Sequence, residues 1–227
     1  MAYYPVLIQL DGMKVLVVGG GKVSERKVDG LLEAGAEVCL VASKITPFLS
    51  SLAESGKIRL MGAAFEESHL DGVSLVIAAT NDPVLNSKVS SMARAKGILV
   101  NAVDQPKDCT FIVPSVARRG DLLIAVSTSG KSPALAKRLR EVLQAQFGEE
   151  YSVFLSFMGA LRERVLGMKY SQERNSSIFQ AIVDSEVLNA LGVRDMTRAC
   201  RVLEAIVPDS VEYKDLLSQS FQQGSLP

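Results

Sequence analysis

A strand that runs straight into three glycines and out into a helix constrains this chain more than any other feature. The apolar run Val15-Leu16-Val17-Val18 leads into Gly19-Gly20-Gly21, and helical periodicity follows over Val23–Ala34. After a strand, Gly19 permits a tight turn and Gly21 lets an anionic group approach backbone N–H groups, while the helix offers its positive N-terminal end. From Met13 to about Asn101 the pattern then alternates. Strands are expected over Lys14–Val18, Glu37–Val41, Lys57–Met61, Leu75–Ala78 and Ile98–Asn101, with helices over Pro47–Glu54 and Pro83–Lys96 between them. Such alternation predicts a parallel sheet covered by helices. Tyr4–Leu10 reads as an extra strand, joined to the first by Asp11-Gly12, a favourable tight-turn pair.

Downstream the style changes. Phe111–Val116 and Leu122–Ser127 read as a hairpin-like pair joined through Arg118-Arg119-Gly120-Asp121. Beyond Ser132 the chain is helical almost to its end. Pro133–Phe147 places Leu135, Leu139, Val142 and Leu143 on one stripe, and Tyr151–Leu166 repeats the pattern with Phe154, Phe157, Met158, Leu161 and Val165. The expected fold class is α/β: a Rossmann-like parallel sheet over residues 1–110, a small α+β region over 111–147 and a helical C-terminal region over 148–227. Gln222–Pro227 is expected to be disordered.

Composition narrows what such a chain does. At 227 residues and 48% hydrophobic it can bury a substantial core. Lys plus Arg equals Asp plus Glu at 25 each, so no global field draws it toward nucleic acid or an acidic membrane. Its apolar runs are strand-length, far below the ~20 residues that span a bilayer. The N-terminus lacks the basic region and apolar core of a secretory signal. Cys39, Cys109 and Cys200 fit neither a disulfide framework nor metal spacing, and the lone His69 reads as a surface residue. A cytoplasmic protein without a resident metal is expected.

The chemistry-bearing residues gather where open α/β sheets bind ligands, beyond the carboxyl ends of strands. Gly19, Gly20 and Gly21, with Lys22 and Val23 opening the helix, form a candidate dinucleotide cradle, and Ser24 is the third small residue. No acid ends the second strand, where Val41-Ala42-Ser43-Lys44 stands. Ser43 suits a ribose hydroxyl and Lys44 tolerates a 2′-phosphate, so these residues leave NAD and NADP both open. Thr80 and Asn81 follow the fourth strand within reach of a cofactor ribose, and Asp82-Pro83 reads as a helix start. Asp104 follows the last strand of the sheet as a single carboxylate in a turn. Ser127-Thr128-Ser129-Gly130-Lys131-Ser132 then packs hydroxyls, a flexible glycine and a cation before Pro133, a pattern suited to anions. Lys137, Arg138, Arg118 and Arg119 add cations nearby in sequence.

In this order the motifs resemble the precorrin-2 dehydrogenase/sirohydrochlorin ferrochelatase family, of sirohaem synthase N-terminal type. They are VLVVGGGKVSERKV (Val15–Val28), ATND (Ala79–Asp82), NAVDQP (Asn101–Pro106), FIVPS (Phe111–Ser115) and STSGKSPALAKRLR (Ser127–Arg140). Each alone is unspecific; all five in sequence are specific. The resemblance covers most of the first 145 residues, and beyond Tyr151 it is only to a helical tail of similar length. It implies NAD-dependent oxidation of the tetrapyrrole precorrin-2 to sirohydrochlorin, with Asp104 as acid/base. It also implies that Ser127 lies near a polycarboxylated substrate, a charge that the rest of the loop (Thr128, Ser129, Gly130 and Lys131) and Arg138 suit. Some members insert Fe²⁺ into the product and others only dehydrogenate; both stay open for this sequence. A homodimer is implied as well, formed through residues 111–147. Two rivals are a non-catalytic NAD-sensing dimer and another dehydrogenase class. The short-chain class is disfavoured because Tyr151, Tyr170 and Tyr213 all lack a lysine four residues on.

Overall fold

The computed structural model describes residues 3–223. Two compact units make up the chain, one ending at Val113 and the other beginning at Pro114. The expected regions 111–147 and 148–227 therefore fall almost entirely in one unit.

In the first unit, β1 (Lys14–Val18), β2 (Glu37–Val41), β3 (Arg59–Gly62), β4 (Leu75–Ala78) and β5 (Leu99–Ala102) form one sheet. Its order is β3-β2-β1-β4-β5, with every pairing parallel. The connecting helices are α1 (Lys22–Glu33), α2 (Pro47–Glu54) and α3 (Pro83–Ala95). Central β1 reads as an unbroken apolar run because both its faces are covered. Leu16 and Val18 pack with Val76, Val89 and Val100 on one face, while Val15 and Val17 meet Val28, Leu40 and Leu49 on the other. Strand order reverses between β1 and β4, so the loops after these two strands diverge there and leave the crevice in which such sheets take ligands.

Three sequence expectations in this unit are corrected. Tyr4–Leu10 forms no strand. A hairpin onto β1 needs a free edge, and β1 is already flanked by β2 and β4; only the turn at Asp11-Gly12 remains. His69 is buried rather than on the surface. It lies in a short 3-10 turn, Glu67–Leu70, where its Nδ1 accepts the Glu66 backbone N–H at 3.1 Å. Finally, Phe111 belongs to no strand: it packs against the core of the first unit, and its carbonyl accepts from Asn101 Nδ2 at 3.0 Å.

The second unit begins with β6 (Ser115–Arg119) and β7 (Leu122–Val126), an antiparallel pair turned by Gly120-Asp121. Arg118 and Arg119 thus lie on a strand, not in the turn. Gly120 has φ 52°, and a Cβ there would stand 2.4 Å from Ser152 Oγ. Helix α4 (Pro133–Gln146) packs across both strands. Then come α5 (Glu150–Gly167), α6 (Gln172–Val183), α7 (Val187–Gly192), α8 (Met196–Glu204) and α9 (Lys214–Gln223). The α5 stripe is the spine of this core: Phe157, Leu161 and Val165 are fully buried among Ile182, Leu203 and Leu217. Of the tail expected to be disordered, Gln222 and Gln223 close α9 and 224–227 lie outside the described residues.

Candidate cofactor and substrate residues

The three glycines of the elbow are glycines for different reasons. Gly19 has φ 121°, and a Cβ on it would sit 2.4 Å from the Ala79 carbonyl oxygen. A Cβ on Gly20 would sit 2.1 Å from the Lys44 carbonyl oxygen. Both are required by the chain's own backbone, since the turns after β2 and β4 close on the end of β1. Gly21 is different: nothing among the described residues lies within 4 Å of the position its Cβ would take. The space beside it is open. Helix α1 begins there without a side-chain cap, so the N–H groups of its first turn and its positive end are unanswered among the described residues. Behind them the Ser24 hydroxyl is buried and has no hydrogen-bond partner among the described residues. An open face, an uncapped helix start and an orphaned hydroxyl fit a pyrophosphate in the cradle. Lys22 pairs with Glu25 at 2.9 Å. Hydrogen bonds from Thr46 and then Lys22 hold the Glu25 carboxyl below its usual range. Val23 is half-buried at the helix start.

The loops after β2 and β4 complete this edge. Ser43 and Lys44 are exposed just beyond β2, and the Thr46 N–H donates to Gly20 O at 3.1 Å, tying this turn to the elbow. Thr80 is held by Asn86: its hydroxyl donates to Asn86 Oδ1 at 2.7 Å, and Asn86 Nδ2 donates back to Thr80 O at 3.0 Å. That hydroxyl therefore shapes the loop. Asn81 remains exposed beside it. Asp82 caps α3 by accepting the Val84 and Leu85 N–H groups at 2.8 and 3.2 Å.

Asp104 follows β5 with φ 61°, a left-handed conformation that aspartate tolerates better than most residues. Its carboxylate is exposed and has no hydrogen-bond or ion-pair partner among the described residues. The loop beyond it is braced. Gln105 Nε2 donates to Pro83 O at 3.0 Å, Ser87 donates to Asp108 at 2.6 Å, and Ser90 donates to the Asp108 carbonyl. The Cys109 thiol lies between Ala102 and the Gln105 carbonyl, and burial pushes it above the usual cysteine range. A thiol held protonated is a poor nucleophile or ligand. Sequence reading missed Asn86, Ser87, Ser90 and Asn101, which fix the loops around the carboxyl edge. The available signal was polar residues at helical spacing on the inner face of α3, where Asn86 and Ser90 flank buried Val89.

The Ser/Thr loop belongs to the second unit and is largely self-satisfied. Ser129 N–H donates to Ser127 Oγ at 3.1 Å, Ser132 N–H to Thr128 Oγ1 at 3.1 Å, and Lys131 N–H to Thr128 O at 3.0 Å. Ser132 caps α4 through Leu135 N–H. Ser129 and Gly130 take left-handed conformations, φ 53° and 77°. With three backbone donors used internally, the loop's capacity for anions rests on its hydroxyl donors, Lys131 and the N–H groups of Ser127, Thr128 and Gly130, which have no partner among the described residues. Lys131 and Arg138 are exposed without an acidic partner among the described residues. Arg119 is committed elsewhere, to Gln144 O at 2.8 Å and Glu149 at 3.2 Å. Among the described residues no group of three or more His, Cys, Asp or Glu side chains is arranged to hold a metal ion.

Comparison with known proteins gives this arrangement a relationship. Residues 6–115 match a family model described as "Putative NAD(P)-binding", and residues 119–146 match the central domain of sirohaem biosynthesis proteins. Siroheme synthase 1 of Aeromonas salmonicida is 37% identical over 215 residues, covering 94% of this chain and 46% of that protein. The chain belongs to the precorrin-2 dehydrogenase/sirohydrochlorin ferrochelatase family. The siroheme synthase of Photorhabdus laumondii is 34% identical over 227 residues, covering 100% of this chain and 47% of its own length. The chain thus spans less than half the length of these curated relatives. A solved structure of SirC, precorrin-2 dehydrogenase, superposes with a TM-score of 0.72 at 28% identity, covering 90% of this chain and 98% of that one. Kinship within the family extends through the helical region, further than the motifs before Tyr151 alone indicated. No helix among the described residues is long and apolar enough to cross a membrane.

Proposed function

We propose that the chain catalyses the NAD-dependent dehydrogenation of precorrin-2 to sirohydrochlorin, a step of sirohaem biosynthesis. One overlap carries this reading. The chain matches 98% of a precorrin-2 dehydrogenase but only 46–47% of two larger sirohaem synthases, so the part it shares with them is the part a stand-alone dehydrogenase also has.

The oxidation removes a hydride and a proton from the macrocycle. NAD, when bound, supplies the hydride acceptor. The chain's own residues bind, orient and take the proton. Gly19, Gly20 and Gly21, with the Lys22 and Val23 amides, hold the pyrophosphate; Ser43 and Asn81 grip ribose hydroxyls, Asn81 on a loop shaped by Thr80. Asp104 offers a carboxylate with no competing partner among the described residues and serves as the base. Lys131, Arg138, the Gly130 N–H and the hydroxyls of Ser127, Thr128 and Ser129 receive substrate carboxylates through charge-assisted hydrogen bonds. Iron, if used, enters as a second substrate, with Asp104 accepting pyrrole protons. The working form is a homodimer. A two-stranded sheet is marginal alone, and α4 leaves Leu135, Leu139 and Val142 exposed beside it. A cytoplasmic location goes with this reading.

The test is turnover of precorrin-2, generated in situ with NAD⁺ and without metal, followed by the absorbance of sirohydrochlorin. Asp104→Asn keeps the left-handed turn and removes the base, so kcat should fall at least about 100-fold while NAD⁺ affinity is unchanged. Fe²⁺ added after completion tests chelation. NAD⁺ binding with no turnover of the tetrapyrrole would overturn the enzyme reading in favour of an NAD sensor.

A further inference from the structure

Tyr3–Leu10 has the composition of a strand and no sheet to join. Tyr4, Val6 and Leu7 are 87%, 62% and 81% exposed. No main-chain group from Tyr3 to Gln9 is hydrogen-bonded among the described residues. The segment carries no charge and is tethered at Leu10, which packs against the core of the first unit. Large apolar side chains left in water mark a contact surface rather than a linker.

The second unit has the complementary chemistry. Its sheet has two strands, so each presents an outer edge of unpaired main-chain groups. The edges differ. On β6 the Arg118 carbonyl already accepts from the Arg119 guanidinium at 2.9 Å, and both cations stand on that strand. β7 is Leu-Leu-Ile-Ala-Val, with no charge, proline or register shift to discourage pairing. An uncharged segment longer than the five residues of β7 meets an uncharged edge.

We propose that Tyr3–Leu10 of one copy adds as a strand to the β7 edge of a second copy. This rests on the homodimer proposed above and names the surfaces that make it. Each copy carries one segment and one edge, so two reciprocal additions close a two-fold dimer and leave neither unpaired. Main-chain hydrogen bonds supply the affinity, and the alternation of side chains along the segment sets the register. Within its own unit, the segment bonds neither terminal strand: it leaves β3 alone, and the outer edge of β5 is already taken by Thr110, whose N–H donates to Val100 O at 2.8 Å and whose hydroxyl accepts the Val100 N–H at 2.8 Å.

The experiment follows hydrogen–deuterium exchange of the full chain across a dilution series, with association state measured by analytical ultracentrifugation. It is run on the wild type and on the Val6→Asp/Ile8→Asp double variant. Amides of residues 6–10 and 122–126 should be slow in the dimer and become fast together on dilution. The variant should raise the dimer dissociation constant at least about tenfold, with an unchanged circular dichroism spectrum. Protection of residues 6–10 that does not depend on concentration would place the segment on its own chain and overturn the proposal. A variant that dimerises like the wild type overturns it while leaving the dimer standing. A wild type that stays monomeric throughout removes the homodimer itself, and turnover of precorrin-2 is then judged separately.

Discussion

Gly20 and Gly21 are neighbours with opposite demands, and two substitutions separate fold from cofactor. A methyl on Gly20 meets the Lys44 carbonyl, so Gly20→Ala should destabilise the first unit by about 1–3 kcal/mol in a denaturant titration. A methyl on Gly21 meets nothing among the described residues, and its φ of −90° is one any residue adopts. Gly21→Ala should therefore leave stability within about 1 kcal/mol of wild type. It should still weaken NAD⁺ binding at least about tenfold by calorimetry, because backbone approach to the pyrophosphate is lost. Equal effects of the two on stability would contradict the open face of the cradle. The sequence marks both residues as one motif; only the turn after β2, with the Lys44 carbonyl beside Gly20, tells them apart.

Helix α3 holds the carboxyl edge together as an element. Its start is set by Asp82 and Pro83, both legible from sequence, and its inner face carries Asn86, Ser87 and Ser90 to the loops after β4 and β5. Asp82→Ala removes an acceptor for two backbone N–H groups and should cost about 1 kcal/mol of stability, measured by thermal unfolding. Asn86 stayed illegible because a buried amide looks like any helix polar residue until its partner, the Thr80 peptide, is in place. The same limit applied to Tyr4–Leu10. Its composition is right for a strand, but pairing needs a free edge, and strand order decides which edges are free.

Across the whole molecule, each unit has its own apolar core. Phe157 is fully buried at the centre of the second. Phe157→Ala should cost that unit about 3–5 kcal/mol, lowering the first transition in calorimetry. NAD⁺ binding by the first unit should persist, because no residue of the cradle belongs to that core. Loss of both together would mean that the two units fold as one.

The sequence by itself determined the parallel sheet, the glycine elbow, the cap at Asp82 and the placing of Asp104 beyond the last strand. Each of these is local: periodicity, a turn residue or a helix start is decided by a handful of neighbours in the chain. Tertiary structure decided what depends on distant partners. It buried His69 beneath its own turn, moved Phe111 into the first core and spent Arg119 on Gln144 and Glu149. It also satisfied three backbone donors of the Ser/Thr loop from within and left Tyr3–Leu10 without an edge. Hydrogen bonds and strand edges are claimed by whichever group folding brings near, and no local pattern records which group that is.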